Sequence, residues 1–334
     1  MSKTKIEWAT DTWNPTTGCD QVSAGCDNCY ALGMAKRLKA MGSADYQTDG
    51  NPETSGPGFG LAIHPHRLDQ PLRWKKPRLV FVNSMSDLFH VSVPVEHLAQ
   101  VFAVMSKAPQ HTFQILTKRH ARMRSILSAN WFKVLVDDYR GAAAGDFQWP
   151  LPNVWLGVSV EDQKWADIRI PALLQTPAAV RFLSCEPLLG PVKLAPEWLQ
   201  ADDDTCTCSE TAGCREIHWV IVGGESGPKA RPMHPDWARS LRDQCEAAGV
   251  PYLFKQWGEW QDGSHDPRTQ HGPDHIMHRN GRHVVAHEYQ TSDLVRGGAG
   301  ERMGACFISR AGKHAAGREL DGRTWDEYPT AVPA

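Results

Sequence analysis

The sequence predicts an α/β protein: a parallel (β/α) barrel, partial or complete, over residues 1–258, followed by a C-terminal appendage over residues 259–334. Three observations predict it. Short apolar, β-branched runs recur at 79–82, 112–116, 154–160, 179–183, 218–222 and 252–254. Helical patterns occupy the intervals between them, and every run finishes in polar or ionisable residues. Runs this short and this apolar do not suit half-exposed antiparallel strands. Intervals of some tens of residues leave room for a crossover helix, so parallel βαβ units are expected.

Two of the helices are plain in the pattern. Residues 94–107 put Val95, Leu98, Val101, Phe102 and Met105 on one stripe, with Pro94 in the first turn, where its missing N–H costs nothing. Residues 235–248 repeat the design with Trp237, Leu241, Cys245 and Ala248, and Gly249 follows as a stop, so Cys245 reads as core. Three segments read as insertions: 42–60, rich in Gly, Pro, Ser and Asp; 141–152, with Gly, Ala and two prolines; and 201–216, acidic with three cysteines. After Gly258 the rhythm stops. A Gly-, His- and Arg-rich tail begins, whose six histidines between His265 and His287 follow no ligand spacing.

Composition removes several classes. A chain of 334 residues with 41% hydrophobic and 22% charged residues needs no disulfide framework and is not wholly disordered. The 36 Lys and Arg against 38 Asp and Glu leave −2, so bulk charge cannot hold it on nucleic acid; only a local patch can. No apolar stretch approaches the ~18 residues of a membrane span, and the first residues lack the apolar core of a signal peptide, so a cytoplasmic address and no membrane partner are expected. Nine cysteines in such a chain point to metal or redox chemistry. The thirteen tryptophans lie mostly beside turns or strand ends, where an indole lines a cleft or closes a loop.

Parallel strands share one carboxyl edge, the edge on which such folds build their sites. Reading each run to its end collects Asn83, Ser84 and Asp87; Lys118 and Arg119; Ser159 and Glu161; Ser184 and Glu186; Gly223, Gly224 and Glu225; and Lys255 and Gln256. One polar strand end is merely a return to solvent; six in succession read as a site. Lys118, Glu161, Glu186, Glu225, Lys255 and Gln256 are the candidates for lining a substrate cavity. Glutamates gathered at one mouth repel one another unless paired with Lys118, Arg119, Lys255, a metal or a cationic ligand. Gly223 and Gly224 allow a ligand to approach the backbone closely.

The strongest local feature is Gly18-Cys19-Asp20-Gln21-Val22-Ser23-Ala24-Gly25-Cys26-Asp27-Asn28-Cys29-Tyr30, a C-x6-C-x2-C loop with a helix starting near Asp27. Three thiolates without a fourth suit a [4Fe–4S] cluster with one iron left open. A zinc knuckle completed by Asp20, Asp27 or a remote histidine ranks second, since no local histidine supplies a fourth ligand. Inert thiols rank last, because the loop is rich in Gly, Asp and Asn.

Several motifs carry a resemblance to a known family: Trp-Asn14-Pro15, the three-cysteine loop, Val-Gly-Gly-Glu225-Ser-Gly-Pro, Lys255-Gln256-Trp257-Gly258 and the closing Ala-Gly-Arg-Glu-Leu-Asp-Gly-Arg-Thr-Trp-Asp-Glu segment. They resemble the phage-associated three-Cys-motif family, and more distantly the radical S-adenosylmethionine superfamily, over nearly the whole chain. The resemblance implies a radical-SAM-like barrel. It also implies a [4Fe–4S] cluster on Cys19, Cys26 and Cys29, S-adenosylmethionine on the free iron, a 5′-deoxyadenosyl radical, and an electron-donor protein. The spacing departs from the superfamily's usual C-x3-C-x2-C. Its Gly-Gly-Glu segment usually follows the second strand, whereas Gly223-Gly224-Glu225 ends a late one. Asn83, Ser84 and Asp87, with Ser159, Gly223 and Gly224, are therefore the candidates for holding the cofactor.

Two weaker signals remain. Cys206, Cys208, Cys214 and His218 form a C-x-C-x5-C-x3-H set that could take zinc, against a plain surface loop. The stretches 73–78 (Arg-Trp-Lys-Lys-Pro-Arg) and 118–124 (Lys-Arg-His-Ala-Arg-Met-Arg) offer phosphate contacts beside aromatic or imidazole rings, so a nucleic-acid or nucleotide substrate is the expected class, against solvated charge. Two rival functions are a zinc-stabilised nucleic-acid-binding or phage accessory protein without turnover, and a hydrolase or lyase using carboxylate pairs.

Overall fold

The computed structural model describes residues 4, 6–141, 145–200, 216–262, 275–285 and 304–330. Its centre is a seven-stranded, all-parallel sheet curled into a half-barrel. The strands are β1 (Asp11–Trp13), β4 (Leu79–Val82), β5 (Thr112–Thr117), β6 (Val154–Ser159), β7 (Val180–Cys185), β8 (Trp219–Gly223) and β9 (Tyr252–Gln256), in the order β1-β4-β5-β6-β7-β8-β9. Between β1 and β4 a two-residue pair, β2 (Thr16–Thr17) with β3 (Ala62–Ile63), braces the connection.

Each strand lies beside its predecessor, and the crossovers carry α1 (Tyr30–Ala40), α2 (Val95–Ser106), α3 (His120–Leu127), α4 (Asn130–Arg140), α5 (Gln163–Leu174), α6 (Pro196–Leu199) and α7 (Pro235–Ala248). The expected runs become strands with ends shifted by a residue or two, and β1 is added ahead of them. Its sequence, Asp-Thr-Trp, has no apolar run to announce it; pairing with β4 from Asp11↔Val80 to Trp13↔Val82 makes it a strand. α7 stops at Gly249, whose φ of +68° closes the helix without a Cβ penalty. α1 begins at Tyr30 rather than near Asp27, because a 3-10 turn over Ala24–Cys26 and the capping residue Cys29 precede it.

β6, β7 and β8 are buried along their whole length, which is why they read as continuous apolar runs. Alternation divides their side chains. Val80, Phe113, Ile115, Leu156, Val158, Leu183 and Val220 join the helices in the main core. Phe81, Trp155, Phe182, Trp219 and Leu253 form a second cluster with Trp8, whose ring stands 4.5 Å from Phe81 and 6.5 Å, edge-on, from Trp219. Trp8, Trp155 and Trp219 thus pack among other rings inside the half-barrel.

Beyond the barrel, β10 (Trp260–Asp262), β11 (His275–Met277), β12 (His283–Val285) and β13 (Cys306–Arg310) make a small antiparallel sheet in the order β10-β13-β11-β12. The chain then returns along β9. Phe254 N donates to Trp325 O, Trp219 Nε1 to Glu327 O, and the Tyr328 ring packs 5.0 Å from Trp219. Among the described residues no helix is long and apolar enough to cross a membrane.

Candidate functional site

The carboxyl edge of the sheet carries a cavity of about 300 Å³. Its apolar side is Ile6, Trp8, Phe81 and Leu116. Its polar side contains the three cysteines of the loop and every candidate for the cofactor or the substrate cavity except Glu161 and Gly223; Arg119 and His218 are not among its lining residues.

The cysteine loop enters from β2. Gly18 takes a φ of +88°, and a Cβ there would fall 2.1 Å from Gly60 O, so only glycine lets the loop pass. Cys19 follows, with its N–H on Phe59 O at 3.3 Å; Cys26 ends the 3-10 turn, and Cys29 caps α1. All three thiols line the cavity. Burial, then Asp87, pushes the Cys19 thiol up to about 12 against the pull of Arg119, and burial raises Cys29 as well. Among the described residues the three sulfurs are not a set within 4.8 Å of one another. A zinc tetrahedron with bonds of ~2.3 Å needs sulfur separations of roughly 3.8 Å. At least one sulfur pair therefore lies farther apart than a single zinc ion requires. Cys185 and Cys245 are buried in the core and Cys306 lies in the small sheet, so no further described cysteine reaches the cavity.

The loop is tied to two strand ends. Ser23 Oγ donates to Glu161 Oε1 at 2.5 Å, and Gly25 lies so near that a Cβ would meet the same oxygen at 2.6 Å. Asn28 Nδ2 donates to Glu225 Oε2 at 3.0 Å. Arg231 clamps both sides: its Nη2 is 2.6 Å from Glu225 Oε1 and 2.7 Å from Ala24 O, and its Nη1 is 3.1 Å from Asp27 Oδ2. Asp20 is held by Ser55, Thr54 and His90, chiefly Ser55, which keep its carboxyl below the usual range.

The three glutamates, expected to repel unless paired, each have a cation. Glu161 lies between Arg169 Nη1 at 2.7 Å and Lys118 Nζ at 3.2 Å. Burial alone would raise its carboxyl; Lys118, Arg169 and the Ser23 hydrogen bond outweigh burial and hold it low. Glu186 Oε1 meets Lys255 Nζ at 2.9 Å, and Glu225 is kept low against burial by Arg231 and Asn28. Pairing within the protein therefore supplies the counter-charge, and a cationic ligand is not needed to explain these carboxylates. Glu161 is fully buried.

Asp87 is also internally engaged, accepting from Thr117 Oγ1 at 2.7 Å and from the N–H groups of Phe89 and Lys118 at 3.0 Å. Ser84 Oγ donates to Asn14 Oδ1, and Ser159 lines the cavity wall. Gly223 makes room for Glu186 Oε1, which a Cβ would approach to 2.7 Å; Gly224 makes room for Trp257 O, at 1.9 Å. Two lining side chains keep unused acceptors. Asn83, at a φ of +61°, donates Nδ2 to Thr16 Oγ1 but leaves Oδ1 buried without a partner; Gln256 donates to Ser226 Oγ and leaves Oε1 likewise. A buried acceptor without a donor is costly, so both oxygens are suited to donors on a bound molecule.

Sequence reasoning missed Asn14, Asn28, Tyr30 and Arg231. Tyr30 donates its hydroxyl to Ser84 O. Cys206, Cys208 and Cys214 lie outside the described residues; His218 accepts from Arg181 N through Nδ1 at 3.1 Å. The basic stretch at 73–78 precedes β4 and so sits at the amino edge of the sheet, away from the cavity, with Arg78 on Asp11 and over the Trp74 ring. In the stretch at 118–124, Lys118 binds Glu161, Arg122 binds His90 O and Val93 O, and Arg124 binds Gln175.

Fold and site together define an α/β half-barrel protein with a thiol-lined cavity at the carboxyl edge of its sheet. The chain belongs to the family described as "Protein of unknown function (DUF5131)", which matches residues 3–329. No curated protein matches it. Among solved structures it is similar to a spore photoproduct lyase complexed with dinucleoside spore photoproduct, at 11% identity and a TM-score of 0.35, over 70% of this chain and 71% of that one.

Proposed function

We propose that the protein is a radical S-adenosylmethionine-type iron–sulfur enzyme acting on nucleic acid or a nucleotide. The observation that carries this reading is that Cys19, Cys26 and Cys29 line one cavity at the carboxyl edge of a parallel half-barrel with no fourth described cysteine in reach. That donor set fits a [4Fe–4S] cluster with an open iron. The free acceptors Asn83 Oδ1 and Gln256 Oε1 fit the amino groups of S-adenosylmethionine. With both groups bound, the cluster would pass one electron from an external reductant to the sulfonium of S-adenosylmethionine, whose cleavage would release methionine and supply a 5′-deoxyadenosyl radical for hydrogen abstraction.

The chain's own residues do the rest. Glu161 and Glu225 fix the cysteine loop through Ser23, Asn28 and Arg231. Ile6, Trp8, Phe81 and Leu116 exclude water from one wall. The Lys255–Glu186 pair faces the cavity as an ammonium and a carboxylate able to bind polar substrate groups. Exposed Lys229, whose carbonyl accepts from Asn28, offers a cation near the cysteine loop for a substrate phosphate.

Purification without oxygen tests the reading. A brown protein with about four irons per chain, forming 5′-deoxyadenosine from S-adenosylmethionine only with reductant, is expected. A colourless protein holding stoichiometric zinc on these thiols overturns it.

A further inference from the structure

A second group of side chains of metal-ligating type lies outside the cavity, on residues to which the function proposed above gives no role. Asp45, on the 3-10 turn Ala44–Tyr46, and His64 and His66, around the turn Pro65–Arg67, bring one carboxylate oxygen and two imidazole nitrogens within 4.8 Å of one another. Asp45 Oδ1 is 3.3 Å from His64 Nδ1 and 3.5 Å from His66 Nε2. Those separations match the ligand-to-ligand edge of roughly 3.3–3.4 Å set by zinc bonds of ~2.0–2.1 Å.

We infer that Asp45, His64 and His66 form a zinc-class divalent-metal site, built from one oxygen and two nitrogens, that clamps the base of the cysteine loop.

Two features beyond the ligand atoms support a built site. His64 is buried, and its far nitrogen, Nε2, is 2.8 Å from Thr17 Oγ1. That contact fixes the ring so that Nδ1 faces Asp45, the outer partner that metal-bound imidazoles ordinarily have. Arg67 binds Asp45 Oδ2, leaving Oδ1 as the oxygen both imidazoles share. The ligand types discriminate as well: two imidazoles and a carboxylate favour zinc over magnesium or calcium, which take oxygen ligands. His66 is largely exposed, so the fourth position opens to solvent.

The site joins segments that all bear on the cysteine loop. Thr17 Oγ1 also donates to Asp45 O, His64 N donates to Pro15 O, and Thr17 leads directly into Gly18 and Cys19. Without an ion the same atoms form only a hydrogen-bonded latch among Asp45, His64 and Arg67, and the two roles separate by experiment.

The full chain, treated with chelator, is titrated with Co²⁺ and followed by visible absorption, with Zn²⁺ displacement as the affinity readout. One Co²⁺ per chain showing ligand-field bands without sulfur-to-cobalt charge transfer is expected. Binding should survive Cys26→Ala and disappear in His66→Ala, an exposed substitution that leaves the core intact. Thr17→Val should weaken Zn²⁺ binding by about 10–100-fold. Absence of saturable binding, binding that persists in His66→Ala, or binding only with thiolate charge transfer would each overturn the inference.

Discussion

Asn28, between the second and third cysteines of the loop, donates its side-chain amide to Glu225 Oε2 at 3.0 Å across 197 residues of sequence. Arg231 grips the same carboxylate and the loop carbonyl of Ala24. The loop that carries the thiols is therefore positioned by the end of β8.

Removing that grip should loosen the loop before it unfolds the protein. Arg231 is about one-third exposed and Glu225 buried, so Arg231→Ala should cost about 2 kcal/mol, below the 3–5 kcal/mol typical of fully buried pairs. Asn28→Ala should cost about 1 kcal/mol. Amide exchange over residues 24–29 should accelerate in both; unchanged exchange there would show that the clamp is not what orders the loop.

The Glu161–Arg169 pair has no exposure on either side. Arg169→Ala leaves the buried Glu161 carboxylate with Lys118 and Ser23 alone and should destabilise by about 3 kcal/mol in urea unfolding, the low end for a broken buried pair. Glu161→Gln with Arg169→Met should recover much of that loss. If the double variant is as unstable as Arg169→Ala, the ion pair is not the source of the cost.

Gly18→Ala combines a left-handed backbone with a Cβ placed against Gly60 O. Thermal melting should show a loss of at least ~1–3 kcal/mol. Gly33→Ala, on α1 with nothing within 4 Å, should be neutral or slightly stabilising.

Stability should form a plateau in pH with defined edges. Burial lowers the pKa of His97, His111 and His234 below the ordinary 6.5, so the unfolded chain binds more protons there and stability falls as pH drops below that value. Glu161 and Glu225, held below 4.5, add a further loss once the pH falls past that point. On the alkaline side burial pushes Cys245 up to about 12 from 9.0, so its contribution is complete below pH 9 and is lost as pH rises towards 12. Chemical denaturation from pH 3 to 11 checks this shape; stability that rises steadily on acidification from pH 7 would contradict it.

Trp325 is buried in the main core although it lies near the end of the described chain. Trp325→Ala should cost about 3–5 kcal/mol, as for a core aromatic. A negligible change would mean the segment along β9 is not part of the cooperative unit.

Much of this was legible in the sequence where burial and spacing speak locally. β6 to β8 are covered on both faces, so their apolar runs stand out, and α7 announces its start with Pro235 and its stop with Gly249. The three cysteines were legible because their ligand types cluster within eleven residues. β1 was not, since only its partner makes Asp11–Trp13 a strand. Arg231 and Asn28 were not, because their shared carboxylate joins distant segments with no common spacing. Arg169 was not, because only the fold brings its guanidinium to Glu161. The basic run at 73–78 carried its own correction: in a parallel sheet, residues that precede a strand lie at the edge opposite to those that follow it.

The return of residues 325–328 to β8, β9 and Glu7 has a consequence for biosynthesis. A ribosome emits β8 and β9 long before the stretch that seals them, so the nascent half-barrel waits with Trp219 uncovered. Native closure therefore waits until residues 325–328 have been made, and termination shortly before Trp325 should yield a chaperone client rather than a smaller working protein.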